Sequence, residues 1–468
     1  MSLDQITLQE LIVYSKDGEW GKENDPGNST EMFVIRGTDF EDVRSGKFDN
    51  LPIRWIPNHI AERKKLEAGD VLIELAGGTE NNPTGRTCYI SKEFIEKCDK
   101  PLTVASFSRF IRFHSSKCNS KYIYWVLQFL YHYQVLKKYH VQHTGTARFQ
   151  WTLFSNNEKI HIHQLKYQKK IASILSAYDD LIENNKRRIQ LLEEMAEEIY
   201  KEWFVRMRFP GYENTKFYNE AGQEVPHGTA GALPEGWEKV KLKDCIKHYI
   251  GGGWGNDDYT HKFTSPAYVI RGTDIPNNKK GDLNFEVLRY HIPSNLKSRR
   301  LQSHDLVFEV SGGTETQSLG RTLFISKSLL ERFDQSVICA SFCKLIRINE
   351  EFVSSIIIYY LLNRLYSTGE IMLFQVQSTG ISNYKFEDFI RNQWVQVPNK
   401  AIQKSFEEIL YPVIDEIQVL GAKNQLLQQT RDLLLPRLIS GKLRVEHLLE
   451  KVENDLIAAE PEVQYQKQ

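Results

Sequence analysis

The sequence predicts an α+β chain with pseudo-two-fold character: two similar mixed α/β domains and two long helices that pair as a coiled coil. The first observation behind this is an internal duplication. Phe33–Phe40 (FVIRGTDF) returns as Tyr268–Ile275 (YVIRGTDI), and Gly77–Thr87 (GGTENNPTGRT) returns as Gly312–Thr322 (GGTETQSLGRT). Both shifts are 235 residues, since 268 − 33 and 312 − 77 agree. The same offset carries Ala105–Phe107 onto Ala340–Phe342, Thr144–Gly145 onto Thr379–Gly380 and Gln168–Lys169 onto Gln403–Lys404. It slips by one only where Trp20–Gly21 answers to Trp254–Gly255. Solenoid repeats have periods of about 20–50 residues, so this unit is a whole domain plus its connector.

The second observation is an apolar stripe after each globular stretch. In the first copy Ile171, Ile174, Tyr178, Leu181, Asn185, Ile189, Leu192, Ala196, Ile199 and Trp203 advance by threes and fours. In the second, Phe406, Ile409, Val413, Ile417, Leu420, Asn424, Leu427 and Leu434 form the matching seam. That is the spacing of a helix packed on a helix, and the economical way to cover both stripes is to pack the copies together. Each seam carries one asparagine, Asn185 or Asn424, a residue type that fixes register when buried and is merely solvated at a rim. Successive steps of four at Leu181–Asn185–Ile189 predict a stutter in the coil. Pro412 is expected in the first turns of the second helix, and Pro436 should end or kink it before Gly441.

Within the globular stretches, Asp70–Leu75 and Asp305–Val310 are short apolar runs ended by Gly-Gly-Thr and read as strands. Lys121–Tyr139 and Glu351–Tyr366 have helical patterns. Phe209–Gly236 is rich in glycine, proline and polar residues without periodicity and reads as a linker, with LPEGW at Leu233–Trp237 marking the return to order. The chain thus divides into a first mixed domain (1–163), a first helix (164–208), a linker (209–236), a second mixed domain (237–398), a second helix (399–450) and a tail (451–468).

Composition sets limits on function. Apolar residues make up 41% and charged residues 26% of the chain, ordinary for globular domains. No apolar run approaches the ~20 residues of a membrane span and MSLDQITLQE is no secretory leader, so a cytoplasmic location without membrane partners is expected. Cys88, Cys98, Cys118, Cys245, Cys339 and Cys343 have no zinc-like spacing and read as structural thiols. Sixty basic residues balance 60 acidic ones, which argues against a uniformly basic nucleic-acid coat. A local basic face is compatible with that balance.

The order of globular region, helix, LPEGW, globular region and second helix closely resembles the DNA-specificity (S) subunit of Type I restriction-modification enzymes. WFVRMRFPGYE at Trp203–Glu213 and LLPRLISGKLRV at Leu434–Val445 are the most specific local matches. The resemblance implies that the mixed domains are target-recognition domains, each reading half of a bipartite, asymmetric double-stranded DNA site. It also implies that the helices form an antiparallel coiled coil between them that binds two methyltransferase subunits, with restriction (translocase) subunits joining through these in phage defence. S-adenosylmethionine, ATP and Mg are then expected on the partners, with no cofactor or metal in this chain.

Two half-sites on one duplex need two readers at a fixed distance. About 35 helical residues span on the order of 50 Å, somewhat more than one turn of B-DNA. Candidate DNA contacts are the equivalent pairs Arg36 and Arg271, Thr38 and Thr273, Arg86 and Arg321, and Thr144 and Thr379. Because both repeats share them, phosphate positioning suits these better than unique base readout. The alternative is that IRGTD and GRT are turns in which Asp39, Asp274 or a carbonyl satisfies the arginine. Arg148, Gln150, Asn81, Asn82, Gln317 and Lys344 differ between copies and suit sequence readout, arginine matching guanine and asparagine or glutamine matching adenine. Trp20 and Trp254 are expected mainly in core packing, and His161 and His163 as alternation on a strand.

No GxxxxGK[ST] phosphate loop, no Asn-Pro-Pro-aromatic tetrapeptide and no convincing nucleotide-binding glycine loop is present, so a non-catalytic subunit is expected. The alternatives are a coiled-coil scaffold that does not read DNA and a DNA-modifying enzyme with an unrecognised site.

Overall fold

The computed structural model describes residues 3–78, 82–142, 147–283, 287–312, 317–378 and 381–445. The chain forms two units, Met1–Glu183 with Leu427–Gln468, and Asn184–Leu426. Both boundaries cut a long helix. The first helix runs over Leu165–Tyr200 and the second over Lys400–Ile439, so each unit holds one mixed domain and a part of both helices.

The two mixed domains repeat one topology. In the first unit a four-stranded antiparallel sheet has the order Ile12–Asp17, Ser108–Phe113, Val71–Glu74, Thr87–Tyr89. In the second unit the order is Ile246–Gly251, Cys343–Ile348, Leu306–Glu309, Thr322–Phe324. Even the register break recurs, at Ile12/Tyr14 and at Ile246/His248. A three-stranded sheet beside it pairs Ser29–Ile35 antiparallel with Ile53–Pro57 and parallel with Leu102–Val104, and its copy pairs Ser265–Ile270 with Val287–His291 and Ser336–Cys339. The strand readings at Asp70–Leu75 and Asp305–Val310 therefore hold. The first helical pattern is shorter than its sequence reading: Ser120–His132 is α-helix and Val135–Tyr139 a 3-10 turn.

Each domain is closed where it meets its helix. Asp4–Thr7 pairs with Lys159–Ile162, and Glu238–Lys241 pairs with Trp394–Val397, the last strand before the helix in each copy. Just inside each helix sits a buried glutamine. Gln168 Oε1 accepts from the Asn119 amide (2.8 Å) and its Nε2 donates to the His163 carbonyl (2.7 Å). Gln403 repeats this with the Ser354 amide (3.0 Å) and the Pro398 and Phe352 carbonyls (2.8 and 3.1 Å). The glutamine repeat read at the 235-residue offset is this joint, a buried side chain that satisfies backbone amide and carbonyl groups where the domain meets its helix.

The helices pair antiparallel within each unit. In the first, Arg431 donates to Asp179 (2.5 Å) and His163 Nε2 lies 2.8 Å from the Leu438 carbonyl. In the second, Asn185 Nδ2 donates to Asn424 Oδ1 (2.9 Å) and Arg188 to Glu416 (2.8 Å). Both asparagines are 8% exposed, so this is a buried polar layer and not a rim. The offset relates the pair to Leu420 and Ile189, since 185 + 235 = 420 and 424 − 235 = 189; both are buried. The polar layer therefore occurs once in a seam that the duplication would otherwise make symmetric.

Two seam positions are corrected. Leu181 and Ile409 are 38% and 39% exposed, whereas their neighbours Ile182 and Leu410 are buried. With these substituted, and with the fully buried Leu175 taken in place of its buried neighbour Ile174, the stripe reads 171, 175, 178, 182, 185, 189, 192, 196, 199, 203, alternating steps of four and three. The second reads 406, 410, 413, 417, 420, 424, 427, with Arg431 and then Leu434 and Leu438. Neither has the expected stutter, so the spacing is that of a plain heptad coil. Ile171, Ile174, Phe406, Val413 and Leu420 are buried, while Tyr178, Leu192, Ile199 and Leu434 are partly buried against the cores. Leu427 is half-buried. Pro412 lies well inside the second helix and not in its first turns, and the helix ends at Ile439, before Gly441.

The segment read as a linker is ordered. Phe217–Tyr218 pairs with Glu224–Val225 and Leu233–Pro234, and Phe209, Phe217, Ala232 and Trp237 are buried in the core of the second unit. Phe209 and Phe204 lie 5.0 and 5.7 Å from the Trp237 ring. WFVRMRFPGYE and LPEGW are thus two sides of one aromatic contact. At the other end of the chain, Leu435, Leu438, Ile439 and Val445 of LLPRLISGKLRV lie in the core of the first unit. Residues 446–468 lie outside the described residues. No helix among those described is long and apolar enough to cross a membrane.

Two outcomes test the joint and the polar layer. Gln403→Leu strands the Ser354 amide and two carbonyls and should cost about 1–3 kcal/mol in chemical denaturation. Replacing the asparagine pair together, by Asn185→Leu with Asn424→Ile, should raise stability because the polar layer opposes apolar packing. Either substitution alone should lower it by about 1–3 kcal/mol, since one amide is left buried without its partner.

Candidate nucleic-acid interface

In each unit the repeated motifs meet at one end of the four-stranded sheet. Arg36 opens a 3-10 turn at Gly37–Asp39 and grips Asp39 with Nε and Nη2 (2.9 and 2.8 Å). Arg271 grips Asp274 in the same way (2.9 and 2.7 Å). Arg86 reaches Glu74 at the end of its strand (2.9 and 2.6 Å), and Arg321 reaches Glu309 (2.8 and 2.5 Å). Glu74, Glu309, Asp39 and Asp274 are buried. Buried carboxylates require paired cations, and the planar guanidinium supplies two parallel donors to each. These carboxylate bonds hold Arg36 and Arg86 above the ordinary guanidinium pKa.

The two turns are locked together. A Cβ at Gly37 would stand 2.8 Å from Glu74 Oε1, and one at Gly272 would stand 2.4 Å from Glu309 Oε1. Glycine is therefore required where the IRGTD turn crosses the carboxylate that holds the GRT arginine. The same end is approached by the chain's first glycine turn: a Cβ at Gly18 would meet the Val104 carbonyl oxygen at 1.8 Å, and at Gly252 the Ala340 oxygen at 2.1 Å. Trp20 and Trp254 follow these turns, are half-exposed, and carry Arg54 and Arg289 over their rings at 4.8 and 4.7 Å. They are surface stacks and not core.

The arginines thus have the carboxylate partners that the turn reading anticipated, and one edge of each guanidinium is committed to orientation. Thr38 and Thr273 are exposed in their turns. Thr144, Thr379 and Asn81 lie outside the described residues. Lys344 lies over Tyr249 and Phe386 (5.4 and 5.0 Å). Its equivalent, Arg109 (344 − 235), lies over Trp151, the equivalent of Phe386, at 5.4 Å. Lys344 therefore shares a repeated cation–aromatic contact and is not divergent in its surroundings. Gln150 precedes the short helix Trp151–Asn157 and is exposed. Asn82 is exposed and Gln317 half-buried. His163 is held inside the first unit, and among the described residues no three His, Cys, Asp or Glu side chains gather as metal ligands.

Arg148 is exposed on the strand Ala147–Phe149 and bridges Ala76, beside Gly77. At the offset position stands Asn383, also exposed, on Ile381–Tyr384, paired with Ser311. Ser311 is itself the equivalent of Ala76 (311 − 235). The register is the same and the side chain differs. Sequence reasoning missed Asn383, Glu74 and Glu309. The signal for the glutamates was present, a charge inside an apolar strand at the repeat offset.

Residues 7–194 match the model of the Type I restriction modification DNA specificity domain. Two specificity subunits from Methanocaldococcus jannaschii are similar, those of the Type I restriction enzymes MjaIX (26% identical over 60% of this chain and 60% of the relative) and MjaVIII (22% over 65% and 66%). The chain therefore spans less than two thirds of the length of these curated relatives. A crystal structure of a Type I restriction-modification S subunit from M. genitalium covers 94% of this chain and 96% of that one, with a TM-score of 0.55 at 11% identity, a likeness of fold. Residues 7–194 thus match the Type I restriction modification DNA specificity domain, and the chain that carries them is similar to the specificity subunits of Type I restriction enzymes.

Proposed function

We propose that this chain is a non-catalytic specificity subunit that reads an asymmetric, two-part sequence in double-stranded DNA. It brings two methyltransferase subunits to the site, and restriction subunits through them. S-adenosylmethionine, ATP and Mg belong in this reading to those partners. The observation that carries it is the duplicated cluster, in which the same oriented arginines frame positions where the side chains differ.

Arg36, Arg86, Arg271 and Arg321 then act as positioning groups: each is aimed by a buried carboxylate and shared by both units, which suits backbone contact. Arg148 and Asn383 occupy one framed position with different donors. Arginine pairs with guanine O6 and N7 and asparagine with adenine N6 and N7, so the two half-sites should carry unlike bases there. The paired helices, of 36 and 40 residues, supply about 54 and 60 Å of stiff length. In this reading that length sets the unread gap between half-sites.

The test is retention of duplex libraries by the chain assembled with its methyltransferase. Wild type should select one two-part sequence, with affinity falling as salt rises. A complex that assembles yet selects no sequence would leave a protein scaffold as the function. Arg148→Asn should change the preferred base at one position of the first half-site, with a discrimination change of about 1–3 kcal/mol, and leave the second half-site unchanged. Adding one heptad to both helices lengthens the pair by about 10 Å and should widen the gap by about three base pairs. An unchanged gap would refute the spacer role.

A further inference from the structure

Phe107 and Phe342 are equivalent (107 + 235 = 342) and are 68% and 57% exposed. Neither belongs to a core cluster, and among the described residues neither ring stacks on another. The backbone beneath them is nevertheless fixed by the same four bonds in each unit. Phe107 O accepts from the Leu75 and Ala76 amides (2.8 and 3.2 Å), Ala105 N donates to Ile35 O (2.9 Å) and Ser108 N to Ala105 O (2.9 Å). Phe342 O accepts from Val310 and Ser311 (2.9 and 3.2 Å), Ala340 N donates to Ile270 O (2.8 Å) and Cys343 N to Ala340 O (2.9 Å). The turn is therefore tied on one side to the residue before Arg36 or Arg271, and on the other to the strand end that carries Glu74 or Glu309. The fold uses the phenylalanine's carbonyl and leaves its ring exposed, twice, on a turn tied to the segments that carry the two oriented arginines.

We infer that Phe107 and Phe342 are wedges, each ring entering a base step of the half-site read by its unit. This rests on the reading of the chain as a DNA-specificity subunit. An exposed apolar ring on a fixed backbone has the chemistry of a side chain that partly unstacks a duplex, because the ring replaces base–base contact. Its occurrence in both units at one backbone position matches a partner that presents two similar surfaces, as the half-sites of a duplex do.

The test uses the full chain with its methyltransferase subunits and a duplex carrying the sequence found modified in host DNA. In that duplex 2-aminopurine replaces one purine at a time. Wild type should give a fluorescence rise at one step in each half-site. Phe107→Ala should abolish the rise in one half-site only and Phe342→Ala in the other, each weakening retention about five- to a hundredfold, while Phe→Leu retains part of both effects. The variants should melt as wild type does, since the rings pack on no core. Retention of the target with no fluorescence rise at any step, or alanine variants that bind as tightly as wild type, overturns the wedge and leaves DNA reading standing. So does a defect confined to assembly with the methyltransferase, which would make the rings a protein contact. Failure of the wild-type complex to select any sequence would instead overturn the reading beneath.

Discussion

The apolar stripe of each long helix has to be kept from water, and in each unit the helix of the other copy covers it. Leu435, Leu438 and Ile439 from the second copy complete the core of the first unit, while Ile189, Ala196 and Tyr200 from the first copy complete the core of the second. Neither repeat is a finished unit by itself. The buried glutamines at residues 168 and 403 and the aromatic contact of Phe204, Phe209 and Trp237 extend this constraint. The glutamines fasten each helix to its own domain and the aromatic contact fastens the end of the first helix to the second domain, so the antiparallel pairing is transmitted into the globular parts.

On this frame the repeated cluster separates fixed positions from variable ones. Glu74 and Glu309 are buried charges, unfavourable unless satisfied, and the arginines that satisfy them become fixed in direction as a consequence. The crossing glycines, Gly37 and Gly272, leave no room for alternatives there. Positions one strand away, such as Arg148 and Asn383, carry no such burden. The side chain there can differ between units while the backbone register stays the same.

Much of this was legible in the sequence because the duplication acts as an internal comparison. Strands, turns and the two long helices fell where glycine signals and apolar periodicity put them, except that the second helix, read as 399–450, ends at Ile439. The seam phase failed at Leu181 and Ile409 because each is followed by another apolar residue, and which of two neighbours faces inward depends on the partner helix. The segment 209–236 was unreadable for a different reason. Two-residue strands leave no periodicity, and their order comes from rings docked on a distant core. Asp39, three residues from Arg36, was visible as its partner. Glu74 lies 12 residues from Arg86 and becomes its neighbour only through the sheet.

The single Asn185–Asn424 layer bears on how such a duplicated chain stays diverged. Gene conversion that copied the first helix over the second would put Leu420 back as asparagine and Asn424 as isoleucine, leaving amides opposite hydrocarbon at both related layers. The reverse exchange would do the same from the other side. Homogenised repeats would therefore assemble poorly, so one hydrogen bond in the coil opposes erasure of the difference between the two mixed domains.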